Sequence, residues 1–241
     1  MTNPSAAMLV IGDEILSGRT HDTNTHHLAQ ACTARGIRLM EARVVADDHA
    51  GIVAAVRALS RAWDHVFTSG GIGPTHDDIT ADAVADAMGA VIGHRADAMA
   101  LLAAHYARQG MAFNAARQRM ARIPEGAKLI DNPVSVAPGF TIGNVHVMAG
   151  VPRIFEAMLA GVLAGIEGGA PLLSQSLEVL RGEGEIAGGF GRLAAEYPDL
   201  TMGSYPFNRN GTFGTNLVIR GTDGAMLDAA MARLAAMFPP P

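Results

Sequence analysis

The chain has 241 residues, of which 49% are hydrophobic and 17% charged, as expected for one large globular domain, alone or with a small companion. Its formal net charge of −5 argues against a general nucleic-acid binder, because such proteins carry a basic surface. No leader pattern and no long uncharged apolar run is evident, so neither a signal peptide nor a membrane span is expected. The single cysteine, Cys32, is expected to be a buried thiol, which favours a cytoplasmic protein.

The first ninety residues alternate between short apolar runs and helical patterns. This alternation predicts a mostly parallel sheet with helices on both faces, which is an α/β fold. The predicted strands are 7–11, 37–45 and 65–69, and the predicted helices are 23–35, 50–62 and 80–88. Further helices are predicted at 96–109, 114–122 and 153–164, with a hairpin formed by 140–142 and 145–148.

The composition changes at residues 167–171, Glu-Gly-Gly-Ala-Pro, which is typical of a linker. We therefore predict one domain over 1–168 and a small α+β domain over 169–241. Within the second domain, strands are predicted at 174–180, 200–205 and 213–220, and helices at 186–196 and 225–238.

The most informative segment is 68–80, Thr-Ser-Gly-Gly-Ile-Gly-Pro-Thr-His-Asp-Asp-Ile-Thr, which joins a predicted strand to a predicted helix. Its glycines, Gly70, Gly71 and Gly73, leave backbone N–H groups free to approach a phosphate. The motif lacks the Gly-Lys-Ser/Thr of a P-loop, and His76 stands where the dinucleotide fingerprint needs a glycine. It is thus a different phosphate loop, and a phosphorylated small molecule is the expected ligand.

Acidic residues follow each of the first three predicted strands. The connection over 12–22 is longer than most strand-to-helix loops, and long loops at this edge of a parallel sheet tend to be functional. If the strand order is 2-1-3, the loops after strands one and three flank a topological switch point. The carboxylates expected to meet near the glycine loop are then Asp13, Glu14, Asp47, Asp48, Asp77 and Asp78.

Two interpretations of these carboxylates remain open. Repulsion within such a group is relieved by a divalent cation, which would bridge a pyrophosphate. Alternatively, Asp48 and Asp77 are solvated, and Asp78 or Thr80 only caps a helix. Asn24 is likewise either a helix cap or a ligand contact, and 149–152 precedes a helix whose N–H groups could meet an anion.

The sequence resembles the CinA (competence/damage-inducible protein A) family from about residue 8 to 165. The resemblance rests on 11–18 (Ile-Gly-Asp-Glu-Ile-Leu-Ser-Gly), 22–24, 44–48, the glycine motif 70–80, 123–127 and 137–140. The same core occurs in molybdopterin-binding proteins of the MogA and MoaB type. The segment 203–206, Gly-Ser-Tyr-Pro, resembles the small domain that follows this core in short CinA-like proteins.

The resemblance implies a three-layer α/β/α molybdopterin-binding fold and a homo-oligomer. In MogA-like relatives, aspartates matching Asp47 and Asp78 support metal-assisted adenylyl transfer to molybdopterin. In CinA-like relatives the domain is associated with metal-dependent hydrolysis of ADP-ribose, and eukaryotic FAD synthases carry a similar domain linked to FAD hydrolysis. We therefore expect a metal-dependent pyrophosphatase that acts on ADP-ribose or a similar adenine dinucleotide such as FAD.

Site roles follow from the same resemblance, with magnesium, manganese or cobalt as the expected cofactor. Asp47 and Asp78 are the expected catalytic residues, with Asp47, Asp77 and Asp78 as metal ligands. A phosphate-neutralising arginine is also expected, and Arg19 is the nearest candidate. The expected ligand contacts are Gly12, Asp13, Glu14, Asn24, Ser69, Gly70, Gly71, Gly73, Pro74, Thr75, Gly139, Gly150 and Pro152.

Two positions depart from the family pattern. Ser135-Val136 stands where Gly-Thr is usual, and Ile154 stands where a glutamate is usual. Because these changes bear on catalysis, two alternatives stay open: a non-catalytic molybdopterin or nucleotide binding module, and a molybdopterin adenylyltransferase. The sequence shows no counterpart of the deamidase domain of longer CinA proteins, so that activity is not expected.

Overall fold

The computed structural model describes residues 3–239 and divides into two compact units, the first ending at Gly169 and the second beginning at Ala170. The strands of the first unit are β1 (Ser5–Ile11), β2 (Arg38–Val45), β3 (His65–Ser69), β4 (Ile92–His94), β5 (Arg122–Pro124), β6 (Lys128–Ile130), β7 (Gly139–Ile142) and β8 (Val145–Met148). Its α-helices are α1 (Asp13–Leu16), α2 (Asn24–Ala34), α3 (His49–Ala62), α4 (Thr80–Met88), α5 (Ala96–Arg108), α6 (Ala115–Gln118) and α7 (Pro152–Ala164).

A six-stranded sheet with the order β2-β1-β3-β8-β7-β6 forms the centre of this unit. Strands β1, β2, β3 and β8 are parallel, whereas β7 is antiparallel to both of its neighbours. The expected order 2-1-3 is therefore confirmed. Since parallel strands end at the same edge, the loops that follow β1, β2, β3 and β8 are brought together.

Side chains of the sheet alternate between two apolar layers, because successive residues of a strand point to opposite faces. From β1, Leu9 and Ile11 pack with residues of α3 and α4 on one face. Met8 and Val10 pack with residues of α2 and α7 on the other face. The predicted three-layer α/β/α arrangement is confirmed, and each fully buried aliphatic side chain stabilises it by about 1.5–3 kcal/mol.

The predicted helix over 114–122 is wrong in its second half. Only Ala115–Gln118 is α-helical; one 3₁₀ turn, Arg119–Ala121, follows, and β5 then pairs antiparallel with β4. The helix stops short of 122 because Arg122 pairs with His94, and Pro124 then disfavours a helical conformation at Ile123. This break matters for the site, as it places Arg119 beside the glycine loop.

Cys32 lies on α2 and is fully buried. Burial raises the pKa of its thiol to about 11, so the thiol is protonated at neutral pH. The expectation of a buried thiol is confirmed. Between residues 3 and 239, no helix combines the length and apolar character needed to cross a membrane.

The second unit contains β9 (Leu173–Val179), α8 (Glu183–Glu196), β10 (Thr201–Arg209), β11 (Thr212–Gly221) and α9 (Gly224–Met237). Its strands form an antiparallel sheet in the order β10-β11-β9. Leu217 and Ile219 of β11 pack against Ile186 and Phe190 of α8 and Leu227 of α9. This small sheet domain agrees with the predicted α+β class.

Two histidines of the central sheet contact each other directly. His65 Nδ1 lies 3.2 Å from His146 Nε2, and Thr141 Oγ1 lies 3.0 Å from His146 Nδ1. His146 is almost fully buried, with its ring stacked on Phe67. Burial and, to a smaller extent, the charge of His65 together lower the pKa of His146 to about 4. Burial also lowers the pKa of His65, while the Asp64 carboxylate opposes that shift.

We expect this pair to make the protein less stable in mild acid. The folded state keeps His146 neutral, whereas in the unfolded chain its pKa returns to about 6.5, so unfolding takes up protons between pH 6.5 and pH 4. Its contribution is complete above pH 6.5 and falls by about 3 kcal/mol as the pH drops to 4. Urea unfolding between pH 7.5 and 4 measures this loss.

Two variants isolate the effect from the titration of carboxylates. His146→Asn should flatten the dependence between pH 6.5 and 4 relative to the wild type, because the titrating ring is gone. His76→Asn is the matched control, since the His76 side chain is 99% exposed and should leave the dependence unchanged. A wild-type slope that persists in His146→Asn would rule out this histidine as its source.

Candidate functional site

The loops after β1, β3 and β8 border an open cleft of about 520 Å³, a volume typical of small-molecule sites. The glycine loop, residues 70–75, forms one wall. Opposite walls come from the segment after β1, from 132–137, and from the segment that leads into α7. The lining residues are Glu14, Thr20, Gly70, Gly71, Ile72, Gly73, Pro74, Asp78, Met120, Asn132, Ser135, Ala137, Ala149, Gly150, Val151, Pro152 and Ile154.

The first two glycines of the loop are required by its backbone path. Gly70 has a φ of +110°, and a Cβ there would lie 2.1 Å from the carbonyl oxygen of Ile11. Gly71 has a φ of +66°, and a Cβ there would lie 2.1 Å from Thr80 Oγ1. The loop passes too close to β1 and α4 for a side chain at either position. The Gly70 N–H donates to the Met148 carbonyl oxygen at 3.2 Å, so this N–H is not available to a ligand.

Asp78 closes the glycine loop on itself. Its Oδ2 accepts hydrogen bonds from the Thr75 N–H at 2.7 Å and from Thr75 Oγ1 at 2.6 Å. No side chain of the described residues caps helix α4, whose N-cap residue is Ile79, so the alternative in which Asp78 or Thr80 caps that helix is wrong. The neighbouring Asp77 also contacts the Thr75 hydroxyl, and this hydrogen bond lowers the pKa of the exposed Asp77 carboxyl.

Asp47 lies beside three other carboxylates. Its Oδ2 accepts a hydrogen bond from the Asp13 N–H at 3.0 Å, but its pKa is raised, first by burial and then by the charges of Asp13, Glu14 and Asp77. Asp48 takes no part in this group, because its carboxylate caps α3 through the Gly51 N–H at 2.7 Å. We refer to Asp13, Glu14, Asp47 and Asp77 as the acidic cluster.

The acidic cluster has the donor chemistry of a magnesium or manganese site. Within residues 3–239, no three His, Cys, Asp or Glu side chains are placed to hold a metal ion by themselves. Magnesium rarely needs such a set, because it usually binds through one or two carboxylates together with phosphate oxygens of the substrate and water. Carboxylates that repel one another beside an expected phosphate loop fit a cation shared with the ligand.

The arginine beside the glycine loop is Arg119 and not the expected Arg19. Its Nη2 donates to the carbonyl oxygen of Asp78 at 3.2 Å, and its buried Nε has no hydrogen-bond partner within the described part of the chain. It borders a small pocket with Gly71, Gly73 and Asp78. Arg19 is exposed and does not line the cleft. Spacing along the sequence gave no signal for Arg119, since it lies 41 residues after Asp78.

The wall formed by 132–137 is organised around one asparagine. Asn132 is buried; its Nδ2 donates to Ser135 Oγ and the Ala137 carbonyl, and its Oδ1 accepts from the Ser135 N–H at 3.0 Å. Val136 has a φ of +69°, which is strained for a β-branched residue. From the sequence, Ser135 and Val136 stood out only as departures from the family pattern, yet the segment lines the cleft through Asn132, Ser135 and Ala137.

Comparison with known proteins identifies this architecture. Residues 7–173 match the family model described as a probable molybdopterin binding domain. The crystal structure of a CinA protein of unknown function from Thermoplasma acidophilum is 34% identical, with a TM-score of 0.63 over 68% of this chain and 99% of that one. The chain is a CinA-like member of the molybdopterin-binding-domain family.

Other relatives extend the likeness of this CinA-like protein into its second unit. Residues 171–241 match the family model of the FAD synthase middle domain. A probable FAD synthase of Caenorhabditis elegans is 33% identical over 95% of this chain and 49% of its own length. A CinA-like protein of Desulfosudis oleivorans is 36% identical over 71% of this chain and 43% of its own length. The chain thus spans about half the length of these two relatives.

The expected ligand contacts of this CinA-like protein lie partly in the cleft and partly around it. Asn24 and Ser69 border a smaller cavity beside the cleft. Gly12 lies under the Glu14 carboxylate, and Gly139 lies inside β7, where a Cβ would meet the carbonyl oxygen of Val147 at 2.2 Å. Asp13 belongs to the acidic cluster and Thr75 to the closed loop. Those that line the cleft are Glu14, Gly70, Gly71, Gly73, Pro74, Gly150 and Pro152, together with the expected catalytic Asp78.

Proposed function

We propose that this protein is a metal-dependent pyrophosphatase that hydrolyses an adenine dinucleotide, with FAD and ADP-ribose as the leading substrates. The observation that carries the proposal is the glycine loop at a cleft that is also lined by Asp78 and by Glu14, the latter a member of the acidic cluster. An N–H-rich loop binds phosphate oxygens, and carboxylates beside it supply a place for a cation. FAD is favoured because both units match the probable FAD synthase.

The residues divide the work of holding the substrate. Backbone N–H groups of the segment 71–73 contact the phosphates, since the Gly70 N–H already donates to the Met148 carbonyl oxygen. Arg119, whose Nε has no hydrogen-bond partner among residues 3–239, offsets the phosphate charge. Asp47, Asp77 and Asp78 are the proposed metal ligands, although Asp78 Oδ2 already accepts two hydrogen bonds from Thr75. A bound divalent cation would neutralise the developing charge on the pyrophosphate.

Hydrolysis then requires one water molecule and a proton acceptor. The water oxygen attacks the α-phosphorus of the adenylate, and the bond from this phosphorus to the bridging oxygen breaks. The proton of the water passes to a carboxylate; Glu14 lines the cleft and is not needed as a metal ligand. FAD would give AMP and riboflavin 5′-phosphate, and ADP-ribose would give AMP and ribose 5-phosphate.

The test is hydrolysis of FAD, ADP-ribose, NAD and ATP by the purified chain with magnesium, manganese or cobalt, followed by product chromatography. We expect AMP from FAD or ADP-ribose, dependent on the added metal. Asp78→Asn should lower this rate strongly. Asp199→Asn is the matched control, because Asp199 is an exposed carboxylate of the second unit. Absence of AMP in every metal, or full activity of Asp78→Asn, would refute the assignment.

A non-catalytic binding module is the second candidate, and one observation favours it. The two residues that depart from the family pattern, Ser135 and Ile154, both line the cleft. Ile154 places an apolar side chain where relatives are expected to carry a carboxylate. Saturable binding of a nucleotide or molybdopterin without turnover in any metal would support this candidate. Formation of adenylyl-molybdopterin from ATP would instead identify an adenylyltransferase.

A further inference from the structure

A second, smaller cavity of about 50 Å³ lies next to the main cleft at the first turn of α2. The two share Glu14, Thr20, Gly150 and Pro152 as lining residues. A ligand in the cleft can therefore extend a small group into this cavity. A volume of 50 Å³ accommodates one or two groups the size of a water molecule.

Asn24 borders this cavity and is only 5% exposed. Its Nδ2 donates to Ser69 Oγ at 2.7 Å and to the Gly150 carbonyl oxygen at 2.8 Å. Because a carbonyl oxygen only accepts, the contact with Gly150 fixes which end of the amide is nitrogen. Asn24 Oδ1 is then a buried acceptor for which residues 3–239 provide no donor. Buried acceptors of this kind are costly and need a partner.

The partner must be a hydrogen-bond donor and not a phosphate. The N–H groups of Asn24 and Thr25, which open α2, both donate to Asp22 Oδ1, at 2.9 and 3.2 Å. These helix N-terminal donors are thus already used by a carboxylate. Glu14 adds a second carboxylate to the wall. The cavity consequently disfavours anions and favours a neutral hydroxyl, whereas the glycine loop favours the phosphates.

We propose that this cavity is a subsite for a sugar or polyol hydroxyl of the substrate, with Asn24 Oδ1 as the acceptor. The inference rests on the proposed function and narrows its substrate class. It selects nucleotides with a free hydroxyl within reach of the phosphates. Two sources of that hydroxyl exist in an adenine dinucleotide: the ribose of the adenosine, and the ribose or ribityl chain on the second phosphate.

Calorimetric titration of the full chain distinguishes these sources without relying on turnover. Affinities would be measured in Ca²⁺, with chromatography to verify that each ligand stays intact. ADP-ribose against ADP tests the second half of the substrate, and ADP against 2′-deoxy-ADP tests the adenosine ribose. We expect the wild type to prefer the hydroxyl-bearing ligand of one pair by roughly fivefold to tenfold, the usual worth of one such hydrogen bond.

Asn24→Ser should abolish that preference, while the affinity for the weaker ligand of the pair changes less than twofold. Asn144→Ser is the matched control: the Asn144 Nδ2 also donates two hydrogen bonds, to the carbonyl oxygens of Ser60 and Trp63, but at the opposite edge of the sheet. It should keep the preference. If Asn24 only held the ends of the strands together, Asn24→Ser would lower the affinity for both ligands of a pair by the same factor.

An equal loss of affinity for both ligands of a pair, or a wild type with no preference in either pair, would overturn the proposed subsite. The wild-type comparison stands even if Asn24→Ser does not fold, which thermal unfolding would reveal. Failure of the subsite is distinguishable from failure of the proposed function. A protein that shows the expected preference but no hydrolysis would support the subsite and refute the pyrophosphatase assignment. A protein that hydrolyses a dinucleotide but shows no preference would support the pyrophosphatase assignment and refute the subsite.

Discussion

Replacement of Asp47 by asparagine is expected to lower hydrolysis of the preferred dinucleotide by about 10²- to 10⁴-fold while the fold remains intact. Asparagine keeps the size of the side chain and an oxygen that can accept the Asp13 N–H. It removes the negative charge that a shared cation requires. Steady-state rates in magnesium and in manganese would measure the loss.

The free energy of unfolding of Asp47→Asn, unlike its activity, is not expected to fall. Burial and the charges of Asp13, Glu14 and Asp77 raise the pKa of Asp47, so its ionised form is disfavoured in the folded protein. A neutral asparagine removes that penalty, and the midpoint of urea unfolding should stay constant or rise. A loss of activity accompanied by a loss of stability would indicate a structural role instead.

Asp48→Asn is the matched control for this variant. Asp48 adjoins Asp47 in sequence and undergoes the same chemical change, but its carboxylate caps α3. Asparagine is as good an N-cap as aspartate, so stability should change little. Activity should also be retained. An equal loss of activity in both variants would show that a general change of charge, and not a role of Asp47, is responsible.

Gly70→Ala is expected to produce the largest loss of stability, about 3–5 kcal/mol, together with loss of ligand binding. The new Cβ would lie 2.1 Å from the Ile11 carbonyl oxygen, and the backbone φ of +110° is unfavourable for any L-residue. Strands β1 and β3 are paired next to this point, so the loop must move or the strands must separate. Urea unfolding and calorimetry with FAD would measure the two losses.

Gly18→Ala is the control that separates the steric clash at Gly70 from the conformational cost of a positive φ. Gly18 also has a positive φ, +72°, but a Cβ there would have no atom within 4 Å. The expected cost is therefore only about 1–2 kcal/mol, the usual penalty of a left-handed conformation for a residue with a side chain. Similar costs for the two variants would show that the glycine loop relaxes and that its close approach to β1 is not required.

Local chemistry explains which parts of the fold the sequence could predict. Strand β3 and helix α4 were predicted with their observed bounds, because a short apolar run and an amphipathic segment each produce their pattern within a few residues. The helix predicted over 114–122 failed because the pairing of β5 with β4, together with Pro124, overrides local propensity. Such pairing depends on residues thirty positions away.

The glycine loop was recognisable for a similar reason, since its composition is itself the requirement for its backbone path. Which of the six carboxylates lie together was not recognisable. Asp48 caps a helix, Asp78 closes the loop, and Asp47 approaches Asp13. Each outcome depends on where the chain turns after a strand, and adjacent aspartates are equivalent in sequence.

By itself, the sequence determined the alternation of strands and helices over the first ninety residues, the glycine-rich loop and the family resemblance, because these reside in residue type and short spacing. Only the tertiary structure decided that Arg119 reaches Asp78, and that 132–137 forms a wall of the cleft. It also decided that Oδ1 of the buried Asn24 lacks a donor among the described residues 3–239. These features arise where strands distant in sequence end at one edge of the sheet, and that edge exists only after the chain has folded.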